Sequence, residues 1–265
     1  MKRLAFDLQG EGADVVVLLH GIGGGRSIWS DASSGTTRAI AGLGCRAVAV
    51  DLPGYGDSVG AGEPTLAHMV STVVELLDHL GPRRIALLGH SMGGMVAQEL
   101  VALYPGRVDV LLLACTSPAF GKADGAWQAR FVADRLAPLD AGLGMSGMAW
   151  NLVPAMVSPG AVAGADAIAI DVMSRVPEAT YRTALKAIAA FDRRAALPAI
   201  TQPTLCLAGE HDRTAPPEVM QRMASHIPGA AFEVLANAGH IANVEQPTAF
   251  NDAVTRFLNT HSIGS

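Results

Sequence analysis

The sequence predicts an α/β protein: a mostly parallel central sheet with helices on both faces and an inserted helical cap. Three observations predict it. Short apolar runs of strand length alternate with segments of helical period. Those runs are apolar throughout instead of alternating, as expected of strands covered on both faces. Between about 118 and 195 the strand-like runs cease, and Ala, Gly, Met and helix formers take over, punctuated by Pro138, Pro154, Pro159 and Pro177.

The elements follow in order. Val15-Val16-Val17-Leu18-Leu19 is short, β-branched and bounded by Asp14 and His20-Gly21, which makes it a strand. A second, 46–50, ends at Asp51-Leu52-Pro53-Gly54. From 66 to 80 the apolar residues fall at 66, 69, 70, 73, 74, 77 and 80, the spacing of a helix, and Gly81-Pro82 stops it. Ile85-Ala86-Leu87-Leu88 begins the next strand, 108–114 forms another, and 204–208 and 232–235 supply two more. The expected division is a core of 1–117 and 196–265 with a helical cap at 118–195. Within the cap, Met145, Met148, Trp150 and Met156 add flexible bulk suited to its own core.

Composition bounds the function. Of 265 residues, 50% are apolar and 16% charged, which suits one large buried core. The net charge of −5, with no basic cluster beyond pairs such as Arg83-Arg84 and Arg193-Arg194, gives no case for nucleic acid or an anionic membrane as partner. Three cysteines, Cys45, Cys115 and Cys206, lie in or beside apolar runs without framework spacing, so reduced thiols in a cytoplasmic protein are expected. The start, Met1-Lys2-Arg3-Leu4-Ala5-Phe6-Asp7, lacks the apolar stretch of a signal peptide, and no run approaches the roughly 20 apolar residues that span a bilayer.

The chemistry centres on Leu87-Leu88-Gly89-His90-Ser91-Met92-Gly93-Gly94, an apolar strand ending in Gly-x-Ser-x-Gly and followed at once by a helix-forming run. That is the setting of a nucleophile elbow, with Ser91 at the apex of a strand-to-helix turn too tight for a β-carbon at Gly89 or Gly93. A serine hydroxyl needs a base within hydrogen-bond reach, itself oriented by an acid. His240, in Gly239-His240-Ile241, directly follows the last strand, and Asp212, in Gly209-Glu210-His211-Asp212, follows the one before. Both therefore fall on loops at the carboxyl ends of parallel strands, the edge that carries Ser91. His68, His79, His226 and His261 follow no strand. Asp212 is the expected acid, with Glu210 the alternative, because the earlier loop Cys115-Thr116-Ser117-Pro118 offers none.

An oxyanion formed on attack needs preorganised N–H donors. The backbone of Met92 is one candidate. The glycine-rich loop His20-Gly21-Ile22-Gly23-Gly24-Gly25 supplies the second, at Ile22 or alternatively Gly23. The loop lacks the Lys-Ser/Thr ending of a phosphate-binding loop, and no His/Cys/Asp set has metal-ligand spacing, so neither nucleotide, cofactor nor metal is expected. His20 reads as a structural hydrogen-bonding residue.

Together these residues resemble the α/β-hydrolase fold superfamily over nearly the whole chain. The resemblance rests on His20-Gly21 with Trp29 downstream, Asp51-Leu52-Pro53-Gly54-Tyr55-Gly56-Asp57-Ser58, the Gly-His-Ser-Met-Gly-Gly elbow, 209–216 and Gly239-His240. Within it the chain looks most like the 3-oxoadipate enol-lactonase group, through 113–121, Trp127-Gln128-Ala129-Arg130, 187–192 and 239–247. It departs from that group at Asp51-Leu52-Pro53-Gly54-Tyr55-Gly56, where enol-lactonases often carry Asp-x-Arg-Gly-His-Gly. The resemblance implies a cofactor-free serine hydrolase acting on a small carboxylic ester or enol-lactone through an acyl-enzyme. Alternatives are a carbon–carbon bond hydrolase of the meta-cleavage type, a cofactor-free haloperoxidase or perhydrolase, and a ligand receptor on the same fold. Trp29, Met92, Trp127 and Trp150 are candidates to line the acyl pocket, Trp29 being as well suited to packing under its loop. Gly23 would approach the substrate closely, Arg130 would anchor an acid group, and an apolar cap surface would support a homodimer.

Overall fold

A computed structural model describes residues 4–31, 34–59, 65–121 and 125–264. Met1-Lys2-Arg3, the start of the segment expected not to be a signal peptide, lie outside them. Among the described residues seven strands form one sheet in the order β1-β3-β2-β4-β5-β6-β7. They are β1 (Phe6–Gln9), β2 (Val15–Leu19), β3 (Arg46–Val50), β4 (Ile85–His90), β5 (Val110–Ala114), β6 (Thr204–Gly209) and β7 (Ala231–Leu235). All neighbours are parallel except β1, which runs antiparallel to β3 with Phe6 opposite Val50. Every residue of β2, β4 and β5 is buried, because helices cover both faces there.

Two details differ from the sequence expectation. β1 carries no strand signal of its own: Phe-Asp-Leu-Gln has no apolar run, and it becomes a strand because the free edge of β3 offers backbone partners. β7 is not apolar-buried throughout, since it closes the other edge and leaves Val234 42% exposed.

The helices are α1 (Ser27–Ser30), α2 (Thr36–Ala41), α3 (Leu66–Leu80), α4 (Met92–Leu103), α5 (Ala126–Asp140), α6 (Gly144–Met156), α7 (Ala165–Ser174), α8 (Glu178–Ala189), α9 (Pro217–Ser225), α10 (Ala242–Glu245) and α11 (Pro247–Thr260). α3 has the predicted bounds. Thr65 caps it by accepting from His68 N–H at 3.1 Å, and Gly81, at φ 53°, ends it in the left-handed region. Helices α5 to α8 all lie between β5 and β6. Pro138 and Pro154, expected to punctuate this region, instead sit inside α5 and α6, near their C-terminal ends. There a proline removes one ladder hydrogen bond without interrupting a long helix. Among the described residues no helix is long and apolar enough to cross a membrane, and Cys45, Cys115 and Cys206 are free and buried.

Candidate active site

Ser91 alone makes the turn between β4 and α4, and its neighbours force the geometry. Its backbone lies at φ 52°, ψ −116°, which L-residues seldom adopt. A β-carbon on Gly89 would strike the backbone of Gly93, and one on Gly93 would strike the backbone of Leu19 and His20 at the end of β2. The strained residue is tied on both sides. Ser91 N–H donates to Ala114 O at 3.0 Å, and Thr116 Oγ1 donates to Ser91 O at 2.7 Å.

The loops after β6 and β7 bring the other two predicted residues to this point. His240 Nε2 lies 3.0 Å from Ser91 Oγ, and His240 Nδ1 lies 2.8 Å from Asp212 Oδ2. A carboxylate can only accept, so Nδ1 carries the hydrogen and Nε2 is left to accept from the Ser91 hydroxyl. Asp212 Oδ1 is occupied by Thr214 N–H at 2.7 Å and Ala215 N–H at 3.0 Å. Burial pushes the Asp212 carboxyl up, but the His240 imidazole and these N–H donors together hold it below the usual carboxylate range. Glu210, the alternative acid, is exposed and accepts from Asn237 N–H instead.

The His240 loop is anchored by residues that sequence reasoning passed over. His90 Nε2 donates to His240 O at 2.7 Å, and His240 N–H donates to Met156 O at 2.8 Å. Glu245, fully buried, accepts from Ser158 N–H at 2.7 Å, Gly239 N–H at 2.7 Å and Ile241 N–H at 2.8 Å. Burial pushes its carboxyl above the usual range against the pull of those three donors. The sequence signal for Glu245 is an acid following Ile241-Ala242-Asn243-Val244, a run apolar but for Asn243.

The glycine-rich loop after β2 is equally well held. His20 Nδ1 donates to Gly21 O at 2.8 Å while Nε2 accepts from Leu52 N–H at 3.0 Å, and burial lowers its pKa. Tyr55 Oη donates to Ile22 O at 3.1 Å. Arg26 binds Asp7, Asp51 and Asp57 together, joining this loop to the Asp51-Leu52-Pro53-Gly54 turn. Met92 opens α4, so its N–H has no intrahelical partner and stands beside Ser91.

Ser91 and His240 open into a cavity of about 530 Å³. Ile22 and Gly23 line it, as do Trp127 and Phe131 of α5, Met173 of α7 and Tyr181 of α8. Trp127 packs in a cluster with Phe120 and Phe131, at ring-centroid distances of 5.6 and 5.2 Å. Four expected lining residues are elsewhere. Trp29 is fully buried under its loop, against Phe250 and His90. The Met92 side chain is buried beside the Tyr55 hydroxyl. Arg130 is exposed on α5, one position before Phe131 turns inward, and Trp150 is 65% exposed on α6. Helical spacing explains both, since the inward face of α5 is 127, 131 and 135 and the buried face of α6 is 145, 148, 149 and 153.

Comparison with known proteins bears on the fold and the family. Residues 14–247 match the family described as the alpha/beta hydrolase fold. The chain is similar to 3-oxoadipate enol-lactonase 2 of Acinetobacter baylyi, 32% identical over 78% of this chain and 76% of that protein. It is also similar to the pimeloyl-[acyl-carrier protein] methyl ester esterase of Photobacterium profundum, 30% identical over 96% of this chain and 98% of that one. Among solved structures, a thermophilic esterase from Thermogutta terrifontis superposes with a TM-score of 0.85 at 28% identity, covering 97% of this chain and 93% of that one.

Proposed function

The chain belongs to the α/β-hydrolase fold family, and within it we propose a serine hydrolase that cleaves a small carboxylic ester or enol-lactone through an acyl-enzyme. The observation that carries this reading is the continuous hydrogen-bond chain from Asp212 through His240 to Ser91, ending in a largely apolar cavity. Similarity to an enol-lactonase and to two esterases supports the choice of ester and lactone substrates.

In this mechanism Ser91 Oγ attacks the substrate carbonyl as its proton passes to His240 Nε2. Asp212 keeps the imidazole in the accepting tautomer and stabilises the imidazolium that forms. The backbone N–H of Met92 and that of Ile22, with Gly23 the alternative, hold the oxyanion. His240 returns its proton to the departing alkoxide or, for a lactone, to the enolate oxygen that remains attached to the acyl group. Water, deprotonated by His240, then attacks the Ser91 ester and releases the carboxylate. No step calls for a cofactor. Helices α5 to α8 act as a cap over the bound acyl group, and the protein works in the cytoplasm on a small molecule.

The test is turnover of a panel of 4-nitrophenyl esters, lactones and ring-cleavage products by the wild type and Ser91→Ala. The expected result is ester or lactone hydrolysis that Ser91→Ala loses by at least about 10³-fold. Full activity in Ser91→Ala on the best substrate overturns the mechanism. Cleavage restricted to the ring-cleavage products moves the reading to a carbon–carbon bond hydrolase.

A further inference from the structure

The chain has three tyrosines, and they meet three different surroundings. Tyr104 is exposed, and the buried Tyr55 donates to Ile22 O. Tyr181 of α8 is only 2% exposed, yet its hydroxyl makes no hydrogen bond with any described residue. A buried phenol ordinarily has a partner, because its donor lost water on folding. The hydroxyl is not walled into the interior, as the partnerless Trp29 Nε1 and Asn243 Oδ1 are. Tyr181 lines the cavity beside Ser91, on the α8 face that also turns Leu185 and Ile188 inward at spacings of four and three residues. The open space its hydroxyl meets is that cavity.

The ring is held from the core side. Thr180 Oγ1 donates to Gly54 O at 2.9 Å, so the first turn of α8 docks on the loop that carries Tyr55. The other hydroxyls of the cavity wall are committed or exposed. Thr116 donates to Ser91 O at 2.7 Å, Ser117 donates to Ala119 O at 2.9 Å, and Thr214 is exposed. Burial pushes the Tyr181 phenol above its ordinary pKa, against a smaller opposite pull from Arg135, so it stays protonated and able to donate. A phenol gives a better hydrogen bond than it accepts, and its fitting partner is therefore an oxygen acceptor. One such donor, beside Leu185 and Ile188, offsets the desolvation of a neutral oxygen but not that of a full charge.

We propose that Tyr181 is a specificity-determining residue. Its hydroxyl donates to a neutral carbonyl or ether oxygen that the ligand carries in addition to its scissile ester, and so selects oxygenated chains over their hydrocarbon analogues. The scissile ester rests on the hydrolase reading above; the donor site does not.

Two measurements test it, both with Tyr181→Phe, which keeps the ring and removes only the hydroxyl. The first compares kcat/KM for methyl heptanoate with that for methyl 4-, 5- and 6-oxoheptanoate, and for heptyl acetate with that for its 4-, 5- and 6-oxo derivatives. Each oxo ester is divided by its own parent, which cancels any general damage to the fold or to Ser91. At one position of the oxygen the ratio should fall by about three- to tenfold in Tyr181→Phe. A residue that merely packs the cap would lower both members of a pair alike, and ratios unchanged at every position overturn the proposal. The second measures binding of the same esters to Ser91→Ala, with and without Tyr181→Phe, by calorimetry. If no ester is turned over, an oxo ester that binds about three- to tenfold more weakly in the double variant, relative to its parent, sustains the donor and sinks the hydrolase reading alone. If no ester is turned over and the binding ratios are equal in the two proteins, or no ester binds, the donor itself is disproved.

Discussion

The imidazole of His90 donates from Nε2 to the main-chain carbonyl of His240 at 2.7 Å, so the residue before the elbow serine holds the loop that carries its hydrogen-bond partner. The two rings lie 5.1 Å apart, and His90 also meets the edge of Trp29. A charged His90 would set two imidazolium ions side by side whenever His240 took a proton. Burial instead keeps His90 neutral, as a donor to a carbonyl.

That neutrality has a cost in acid. Burial first, and the His240 ring second, push His90 down to about 3, against 6.5 in its ordinary state. Between those values the unfolded chain binds a proton that the folded chain refuses, so stability rises with pH and is lost as pH falls from 6.5 toward 3. One group supplies a slope of at most ~1.4 kcal/mol per pH unit. His20, lowered chiefly by burial, adds a slope of the same sign. Urea unfolding midpoints measured from about pH 7 to pH 5, above the carboxylate range, should show this loss, with a shallower slope in His90→Gln. Equal slopes in the two proteins would sink the assignment.

Glu245 joins the His240 loop to the segment after α6. Three main-chain N–H groups from Ser158, Gly239 and Ile241 depend on it. Leaving a buried donor unpaired costs about 1–3 kcal/mol, and three at once cannot all find new partners. Glu245→Ala should therefore lose upwards of ~3 kcal/mol of stability. Hydrogen exchange should rise first at those three amides, in one event that includes the Ser158 side. If 156–162 kept wild-type protection while 239–241 opened, the coupling between the two segments would be disproved.

Much of this architecture is legible in the residues. Wholly apolar runs betray covered strands, and the helical spacing at 66–80 together with Gly81-Pro82 locates α3 to the residue. Ser91, His240 and Asp212 are legible because each follows a strand and the sheet is parallel, so topology alone gathers them at one edge. What escapes is whatever depends on an unseen partner. β1 is polar and exists only because β3 has a free edge. Arg135 differs from Arg130 by five positions on one helix, and only the register of α5 against the sheet decides which faces the cavity. Glu245 and His90 are polar residues whose acceptors and donors are main-chain groups, which leave no mark in a sequence.

Asp212→Asn separates orientation from mere presence in the hydrogen-bond chain. Oδ1 is fixed as the acceptor of two N–H donors, from Thr214 and Ala215, so an amide here turns its NH2 toward His240 Nδ1. The imidazole must then accept at Nδ1 and carry its hydrogen on Nε2, where it can no longer receive the Ser91 proton. The expected loss in kcat is about 10⁴-fold, with near-wild-type circular dichroism. A variant retaining more than about a tenth of wild-type kcat would show that Asp212 does not set the tautomer.

Tyr55 gives the most local test of the oxyanion site. Its hydroxyl is buried between Ile22 O, at 3.1 Å, and Met92 Sδ, at 4.0 Å, and so touches both segments whose N–H groups are proposed to hold the oxyanion. Donation to Ile22 O fixes the plane of the Ile22–Gly23 peptide, whose N–H is that of Gly23, the alternative donor, and an oxyanion donor is useful only when aimed before the charge develops. Tyr55→Phe keeps the ring that packs edge-on against His20, at 4.6 Å between centroids, and removes only the hydroxyl. One neutral hydrogen bond is worth about 0.5–1.5 kcal/mol, so stability should fall by no more than that. If the bond aims the peptide, kcat should fall by about three- to tenfold while KM holds, because the loss is felt only when the oxyanion forms. A change in KM with constant kcat would instead make Tyr55 a wall of the cavity and leave the peptide aimed by the glycine turn alone.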